Sequence, residues 1–130
     1  MTPDDVQRWL DGYIKAWFAY DADLVGDLFS EDAEYRYHPW DDPVRGRAAI
    51  VEDWLNPGGS PDGRDKPGTV DFEYAPYAVD GDRAVIVGWT VYRASPGGPV
   101  ERTYDNAWLV ELDGDGRCRS FTEFFMKRKQ

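Results

Sequence analysis

The sequence predicts an α+β fold in which helices come first and a run of antiparallel strands follows. Up to Leu55, apolar residues recur at three- and four-residue spacing, which is the period of a helix face. From Thr69 onward, alternating stretches are separated by turns rich in Gly and Asp, a pattern typical of hairpin strands. A length of 130 residues suits one domain, which we assign to residues 1–130.

The first helix has a clear start signal. Thr2 can cap it, Pro3 fits its first position, and two acidic residues follow, which suits the positive end of a helix. One face then carries Val6, Trp9, Leu10, Tyr13, Ile14 and Trp17. This face is expected to pack on the core.

Two shorter helices follow. Asp21 caps the second, whose apolar side is Leu24, Val25, Leu28 and Phe29. The third covers residues 46–55 and stops at the Asn-Pro-Gly sequence of 56–58. Residues 56–68 then form a loop in which 7 residues are Gly or Pro, and two interpretations stay open: a functional lid or a mobile segment.

Strands are predicted at 33–37, 69–79, 83–93, 100–112 and 117–127. Pro76 lies inside the second of these, which indicates an edge strand or a bulge. The last four strands are joined by turns at 80–82, 96–98 and 113–116. Helices would therefore cover one face of an antiparallel sheet.

Composition restricts the possible partners. The formal net charge is −10, which argues against nucleic acid and membranes as partners because both favour a basic face. Neither a leader sequence nor a membrane span is evident, so we expect a cytoplasmic protein. With one His and one Cys, and with no phosphate-binding loop or nucleophile elbow, we expect no metal and no cofactor. Cys118 is expected to be a structural thiol.

Four segments in this order resemble the nuclear transport factor 2-like (SnoaL-like) superfamily. They are YDADLVGDLFSEDAEYRYHP (20–39), RGRAAIVEDW (45–54), VDGDRAVIVG (79–88) and DGRCRSFTEFF (115–125). The resemblance implies a cone-shaped, strongly curved and mainly antiparallel sheet wrapped around three N-terminal helices, with an internal pocket. Members of this superfamily often form dimers through the outer face of the sheet.

The resemblance, combined with strand alternation, implies which residues line the pocket. The helices would contribute Tyr13, Trp17 and Trp54. The strands would contribute Tyr35, Tyr37, Val85, Val87, Trp89, Val91, Tyr104, Asn106, Trp108, Val110, Phe121, Glu123 and Phe125. Such a pocket would be apolar and strongly aromatic, which suits a hydrophobic or aromatic small molecule.

Ketosteroid isomerases of this superfamily use a carboxylate base, a tyrosine and a protonated aspartic acid. Tyr13 matches the tyrosine, but Tyr37 stands at the position of the base and Trp108 at that of the aspartic acid. Steroid isomerisation by that mechanism is therefore not expected.

Glu123 is the strongest candidate for another acid/base group. It lies between Phe121 and Phe125 on one strand face, where loss of water would raise the pKa of its carboxyl. Tyr13 would then donate a hydrogen bond to a substrate oxygen while Glu123 moves the proton. The alternative is that Glu123 only organises the cavity by bonding to its neighbours.

The remaining polar candidates receive structural interpretations. His38 is expected to face away from the pocket and to bond a backbone group, and Asp41 and Asp42 to form a solvated turn. Limonene-epoxide hydrolases use an Asp-Arg-Asp arrangement, and neither Arg93 nor Arg102 can be placed in one from the sequence.

Two functions stay open. One is binding of a hydrophobic or aromatic small molecule, with acid/base catalysis of the isomerase, cyclase or lyase kind. The other is a non-catalytic binding or dimerisation module. We also predict a homodimer through an outer sheet face made of Ile86, Thr90, Tyr92, Ala107, Leu109 and Phe124.

Overall fold

Three helices in the first half of the chain lie against one six-stranded sheet in this computed structural model, which describes residues 1–129. The helices are α1 (Pro3–Ala19), α2 (Ala22–Gly26) and α3 (Arg47–Leu55). The strands are β1 (Phe29–Arg36), β2 (Val44–Arg45), β3 (Val70–Asp80), β4 (Arg83–Arg93), β5 (Val100–Leu112) and β6 (Cys118–Lys127). No helix within the described residues is long and apolar enough to cross a membrane.

Helix α1 begins as predicted. The Thr2 hydroxyl accepts a hydrogen bond from the Asp5 backbone N–H, and the Asp5 carboxylate accepts one from the Thr2 N–H. This reciprocal pair satisfies two donors that the first turn would otherwise leave unpaired. The buried face consists of Val6, Trp9, Leu10, Tyr13 and Ala16.

The prediction for the second helix extended too far. Helix α2 ends at Gly26, and Phe29, which we placed on its apolar side, begins β1. Phe29 pairs with Cys118 of β6, and the Leu28 carbonyl accepts a hydrogen bond from the Cys118 N–H over 2.7 Å. Pairing of these backbone groups with β6 therefore ends the helix earlier than the apolar spacing suggested.

The strand order is β2-β1-β6-β5-β4-β3. Neighbouring strands are antiparallel except for β1 and β6, which are parallel. The predicted α+β class, with helices against an open, curved and mainly antiparallel sheet, is confirmed. Strand β3 lies at the edge of the sheet, and its register shifts between Pro76 and Ala78. The edge strand and the bulge that Pro76 indicated are therefore both present. The two-residue strand β2 was not predicted.

The core between α1 and the sheet ends in a layer of aromatic rings, which we call the aromatic floor: Tyr13, Tyr35, Trp108 and Phe121. The Tyr35 and Phe121 rings stack with centroids 4.4 Å apart and planes inclined by 5°. Tyr13 lies 4.6 Å from Trp108 and 5.8 Å from Phe121, centroid to centroid. Because these rings are rigid and closely packed, they form a fixed base for whatever lies above.

The prediction for the faces of β4 is wrong. Ile86 pairs with Trp108 and Thr90 with Tyr104, and directly paired residues share a face. The even-numbered residues of β4 therefore face the helices. The positions predicted to line the pocket face the opposite way: Val85, Val87, Trp89 and Val91.

The same correction changes the predicted outer surface. Ile86 and Thr90 are buried on the concave side, and Tyr92 shares their face. Hydrophobicity did not reveal which residues of β4 face the helices, because both faces of the strand are apolar. Outward-facing Ala107, Leu109 and Phe124 are placed as predicted.

Gly88 is expected to be essential for the packing of β3 on β4. A Cβ atom at Gly88 would lie 2.1 Å from the Glu73 carbonyl oxygen and 2.2 Å from Cδ1 of the Tyr74 ring. Gly88→Ala should therefore lower the free energy of unfolding by about 1–3 kcal/mol in urea denaturation. Gly114→Ala is the control because its Cβ would meet nothing within 4 Å. Equal unfolding midpoints for the two variants would contradict this assignment.

Candidate functional site

A cavity of about 400 Å³ opens above the aromatic floor, between α1, α3, the loop after α3 and the concave face of the sheet. Its aromatic lining residues are Tyr13, Trp17, Tyr20, Tyr35, Tyr37, Trp54, Tyr74, Tyr92, Tyr104, Trp108 and Phe125. Its other lining residues are Asp53, Pro57, Gly63, Asp65, Thr90, Arg102, Asn106 and Glu123. The walls are thus more polar than the sequence suggested.

Most of the predicted site residues lie together in these walls. They are Tyr13, Trp17, Tyr35, Tyr37, Trp54, Tyr104, Asn106, Trp108, Glu123 and Phe125. Phe121 belongs to the floor beneath them and is 0% exposed. Val87 and Trp89 face away from the cavity, so their predicted place in its lining is wrong.

Sequence reasoning missed nine lining residues: Tyr20, Asp53, Pro57, Gly63, Asp65, Tyr74, Thr90, Tyr92 and Arg102. Thr90 and Tyr92 were missed because the phase of β4 was inverted. Alternation in β3 offered a usable signal, since Phe72 and Tyr74 share one face and pair with Thr90 and Gly88 of β4. The loop residues carry no periodic signal.

Glu123 reaches the cavity from β6, where it pairs with Trp108 of β5. Its Oε1 accepts a hydrogen bond from Asn106 Nδ2 over 2.7 Å. Burial raises the pKa of the Glu123 carboxyl above its ordinary value of 4.5, against the opposing effects of Asn106, Trp108 and His38. The carboxyl is therefore shifted towards neutrality inside the cavity wall.

A chain of hydrogen bonds leads to Glu123 from β4. Asn106 Nδ2 donates to Glu123, so Asn106 Oδ1 is the atom that accepts from the Tyr74 hydroxyl, over 3.3 Å. Tyr74 has a single hydroxyl hydrogen, so it accepts in turn from the Thr90 hydroxyl, with which it makes a short contact. The chain fixes the rotamers that hold Glu123 in place.

The Trp108 indole N–H is buried without a hydrogen bond partner of acceptable geometry. It nevertheless lies close enough to the Glu123 carboxylate to lower the pKa of that group. The Trp108 indole N–H is therefore an unsatisfied hydrogen bond donor beside Glu123.

Tyr13 and Tyr35 form a pair of phenols whose oxygens are 3.1 Å apart. One hydroxyl hydrogen lies between the two oxygens, and the other stays free to donate to a molecule in the cavity. Burial raises the pKa of both phenols well above their ordinary value, and the nearby Glu123 carboxylate adds to this effect. Both therefore remain protonated donors.

The loop after α3 folds over one side of the cavity. It contains two 3-10 turns, Pro57–Gly59 and Pro61–Gly63. Asp65 anchors it, because Asp65 Oδ2 accepts from Trp17 Nε1 over 2.8 Å and the Asp65 N–H donates to the Tyr20 hydroxyl over 2.7 Å. The contacts that hold this loop are polar, so the lack of apolar anchors in the sequence did not reveal them.

Arg102 lies at the rim of the cavity on β5. Its guanidinium carbon is 4.4 Å from the centroid of the Tyr92 ring and 5.8 Å from that of Tyr104. Arg93 instead pairs with Asp71, at 2.9 Å. Among residues 1–129 neither arginine bridges two cavity carboxylates, so the geometry provides no Asp-Arg-Asp arrangement.

His38 lies outside the cavity lining, but its bonding differs from the prediction. Its Nδ1 lies 2.8 Å from Asp41 Oδ2, so its partner is a side chain rather than a backbone group. Its ring stacks on Trp40 at 4.8 Å and lies 5.3 Å from that of Phe125, centroid to centroid. Within the described chain, no group of three or more His, Cys, Asp or Glu residues could hold a metal ion.

The site thus combines three chemical elements. Glu123 is a partly buried carboxyl whose pKa is raised above its ordinary value by loss of water. The pair of Tyr13 and Tyr35 offers one free O–H donor close to it. Aromatic walls surround both groups. Such an arrangement can hold a small molecule by its apolar surface and transfer a proton to or from it.

Solved structures share this architecture at low sequence identity. An NTF2-like protein from Burkholderia xenovorans LB400 is 17% identical, with a TM-score of 0.62 over 97% of this chain and 92% of that one. The epoxide hydrolase/cyclase-like enzyme SalBIII, of pyran ring formation in salinomycin, is 18% identical, with a TM-score of 0.63 over 94% and 93%. An LEH-like epoxide hydrolase from M. tuberculosis is 17% identical, with a TM-score of 0.63 over 95% and 84%.

These likenesses show the fold alone. A comparison with curated proteins gives no significant match. The sequence model of the SnoaL-like domain, in contrast, matches residues 6–121, which include all three helices almost completely and most of the sheet. The chain therefore belongs to the SnoaL-like domain family.

Proposed function

We propose that this protein binds a hydrophobic or aromatic small molecule in the cavity and acts on it by proton transfer through Glu123. The observation that carries the proposal is a partly buried carboxyl in the wall of an open cavity. Glu123 accepts a hydrogen bond there, at Oε1 from Asn106, and its side chain lines the cavity. A purely structural glutamate would be enclosed and fully bonded.

The proposed chemistry divides between two groups. The free phenolic O–H of the Tyr13–Tyr35 pair donates to an oxygen of the substrate and stabilises the negative charge that develops on it. Glu123, when ionised, removes a proton from the neighbouring carbon and then returns it to another atom of the same molecule. Isomerases, cyclases and lyases share the removal of the proton, and a lyase returns it to the leaving group.

Related structures support small-molecule chemistry without identifying the reaction. Two of the similar structures are described as epoxide hydrolase or epoxide hydrolase/cyclase-like enzymes. Ring closure and double-bond migration both need a proton donor and acceptor in a dry cavity. Hydrolysis by an Asp-Arg-Asp group is not part of the proposal, because Arg102 contacts aromatic rings instead of two carboxylates.

Exchange of acidic protons tests Glu123 directly. We expect the protein to accelerate hydrogen–deuterium exchange at the α-carbons of 2-tetralone in heavy water, as followed by NMR. Glu123→Gln keeps the shape of the side chain but removes its proton transfer, so the acceleration should fall about 100-fold or more. Glu52→Gln is the control, since Glu52 is exposed on α3 and does not line the cavity. Equal acceleration by wild type and Glu123→Gln would overturn the role of Glu123.

The raised pKa of Glu123 also predicts a pH dependence of stability. A carboxyl whose pKa is higher in the folded than in the unfolded state stabilises the protein below its unfolded pKa and loses that contribution as pH rises through the folded pKa. The free energy of unfolding of wild type relative to Glu123→Gln should therefore fall as the pH is raised from about 4 to neutrality. Urea denaturation across this range measures it, and a constant or rising difference would contradict the raised pKa.

A second candidate, a dimerisation module, is favoured by the convex face of the sheet. Cross-strand rows there join Val85 with Leu109, and Val87 with Ala107 and Phe124. Leu109 is 46% exposed and Phe124 41%. Contiguous exposed apolar residues of this kind are typical of protein interfaces. We propose that this face forms a homodimer.

Light scattering during size-exclusion chromatography tests the dimer. We expect the wild type to have twice the mass of one chain at micromolar concentration. Leu109→Lys should give a monomer, because it would bury a charge at the centre of the interface. Gln7→Lys adds the same charge on the exposed side of α1 and should leave the dimer intact. A monomeric wild type would exclude this surface as a dimer interface.

A further inference from the structure

Arg102 differs from the other arginines in how its guanidinium is used. Each of the others contacts a carboxylate or donates to a backbone carbonyl: Arg8, Arg36, Arg45, Arg47, Arg64, Arg83, Arg93, Arg117, Arg119 and Arg128. Within residues 1–129, Arg102 contacts only the rings of Tyr92 and Tyr104. In a chain of net charge −10, a guanidinium that pairs with neither a carboxylate nor a backbone carbonyl is distinctive.

The position of this guanidinium is well defined. Arg102 is the cross-strand partner of Tyr92, and its guanidinium carbon lies over the Tyr92 ring, 4.4 Å from the ring centroid. A cation–π contact uses no N–H donor in a hydrogen bond to an oxygen, so the donors of the group stay available. Because Arg102 also lines the cavity, these donors lie at the rim of the proposed binding site.

We propose that Arg102 is the anchor for an anionic group, a carboxylate or a sulfonate, on the ligand of this cavity. The ligand would then be an amphiphilic organic acid, with its apolar body between the aromatic walls and its charge at the rim. A planar guanidinium recognises such groups through two parallel hydrogen bonds. This inference rests on the proposed function only in taking the cavity as the binding site.

The sheet also sets an approximate length for such a ligand. Arg102 and Asn106 lie on the same face of β5, four residues apart, which corresponds to roughly 13 Å along a strand. Asn106 in turn bonds Glu123. The anionic group and the atom that Glu123 acts on would thus be on the order of 10 Å apart. Aryl-substituted or fused-ring acids have this length, whereas acetate does not.

Three carboxylates in the cavity walls oppose an anionic ligand, but more weakly than Arg102 attracts it. Asp53 accepts a hydrogen bond from the Tyr37 hydroxyl and Asp65 from Trp17 Nε1, whereas Glu123 is shifted towards neutrality. An ionised carboxylate that lies about 10 Å from the bound anion would reduce affinity in water by about a factor of two before screening by salt. Direct charge-assisted hydrogen bonds have a larger effect.

Two fluorescent dyes that differ by one sulfonate group provide the test. 1-Anilinonaphthalene-8-sulfonate carries a sulfonate, and N-phenyl-1-naphthylamine is the same molecule without it. We expect wild type to bind the sulfonate more tightly. Arg102→Gln should weaken sulfonate binding about ten-fold or more and change binding of the neutral dye less than about two-fold. Arg102→Lys, which keeps the charge but not the planar fork, should fall between.

Two controls locate the effect. Arg128→Gln removes an exposed arginine that pairs with Asp105 outside the cavity, and it should leave both affinities unchanged. The indole N–H signals of tryptophan in ¹⁵N NMR spectra report where a dye binds. Trp17 and Trp54 line the cavity, whereas Trp89 is on the convex face, so a bound dye should shift the first two.

Each outcome supports or overturns one proposal. If the neutral dye shifts no cavity indole, the cavity is not a binding site for apolar molecules and the proposed function fails together with this inference. If the neutral dye binds there and Arg102→Gln weakens both dyes equally or neither, only the anion anchor is overturned. Tighter binding of 2-(1-naphthyl)ethylammonium than of the sulfonate would also overturn it, because the carboxylates would then determine the charge preference.

Discussion

The packing of the aromatic floor determines where the hydrophobic core ends and the cavity begins. Phe121 lies against Tyr35 on one side and Tyr13 on another, and Trp108 closes the layer. These rings come from α1, β1, β5 and β6, so one contact layer joins the first helix to the central strands. The phenol oxygens of the floor form their own pair, and this allows tyrosines to serve at once as core residues and as polar groups of the cavity.

Much of this fold could be predicted from the sequence because its signals are local. The Thr2 cap, the apolar face of α1 and the turns between the long strands depend on neighbouring residues. The phase of β4 could not be read in this way, since Val87 and Trp89 make its outer face as apolar as its inner one. Only pairing with Trp108 and its neighbours on β5, across a turn of several residues, establishes which side is concave.

The candidate site was predictable in part for the same reason. Glu123 and Asn106 were found by alternation, because β5 and β6 each bury a distinct face. The partners that orient them were not found, since Tyr74 reaches Asn106 across Gly88, where a side chain would leave no room for its ring. The contact between Tyr74 and Asn106 depends on the missing side chain of Gly88 on another strand. Alternation within one strand does not indicate such a dependence.

The proton chemistry of the cavity is concentrated on one group. Burial raises the pKa of each of six lining phenols: Tyr13, Tyr20, Tyr35, Tyr37, Tyr74 and Tyr92. They remain hydrogen bond donors at neutral pH and cannot act as bases. Burial also raises the pKa of the Glu123 carboxyl, but the consequence differs. The pKa of this group moves nearer to neutral pH, where the carboxyl can both give and take a proton. The same loss of water thus keeps the lining phenols as fixed donors and makes the Glu123 carboxyl suited to proton transfer.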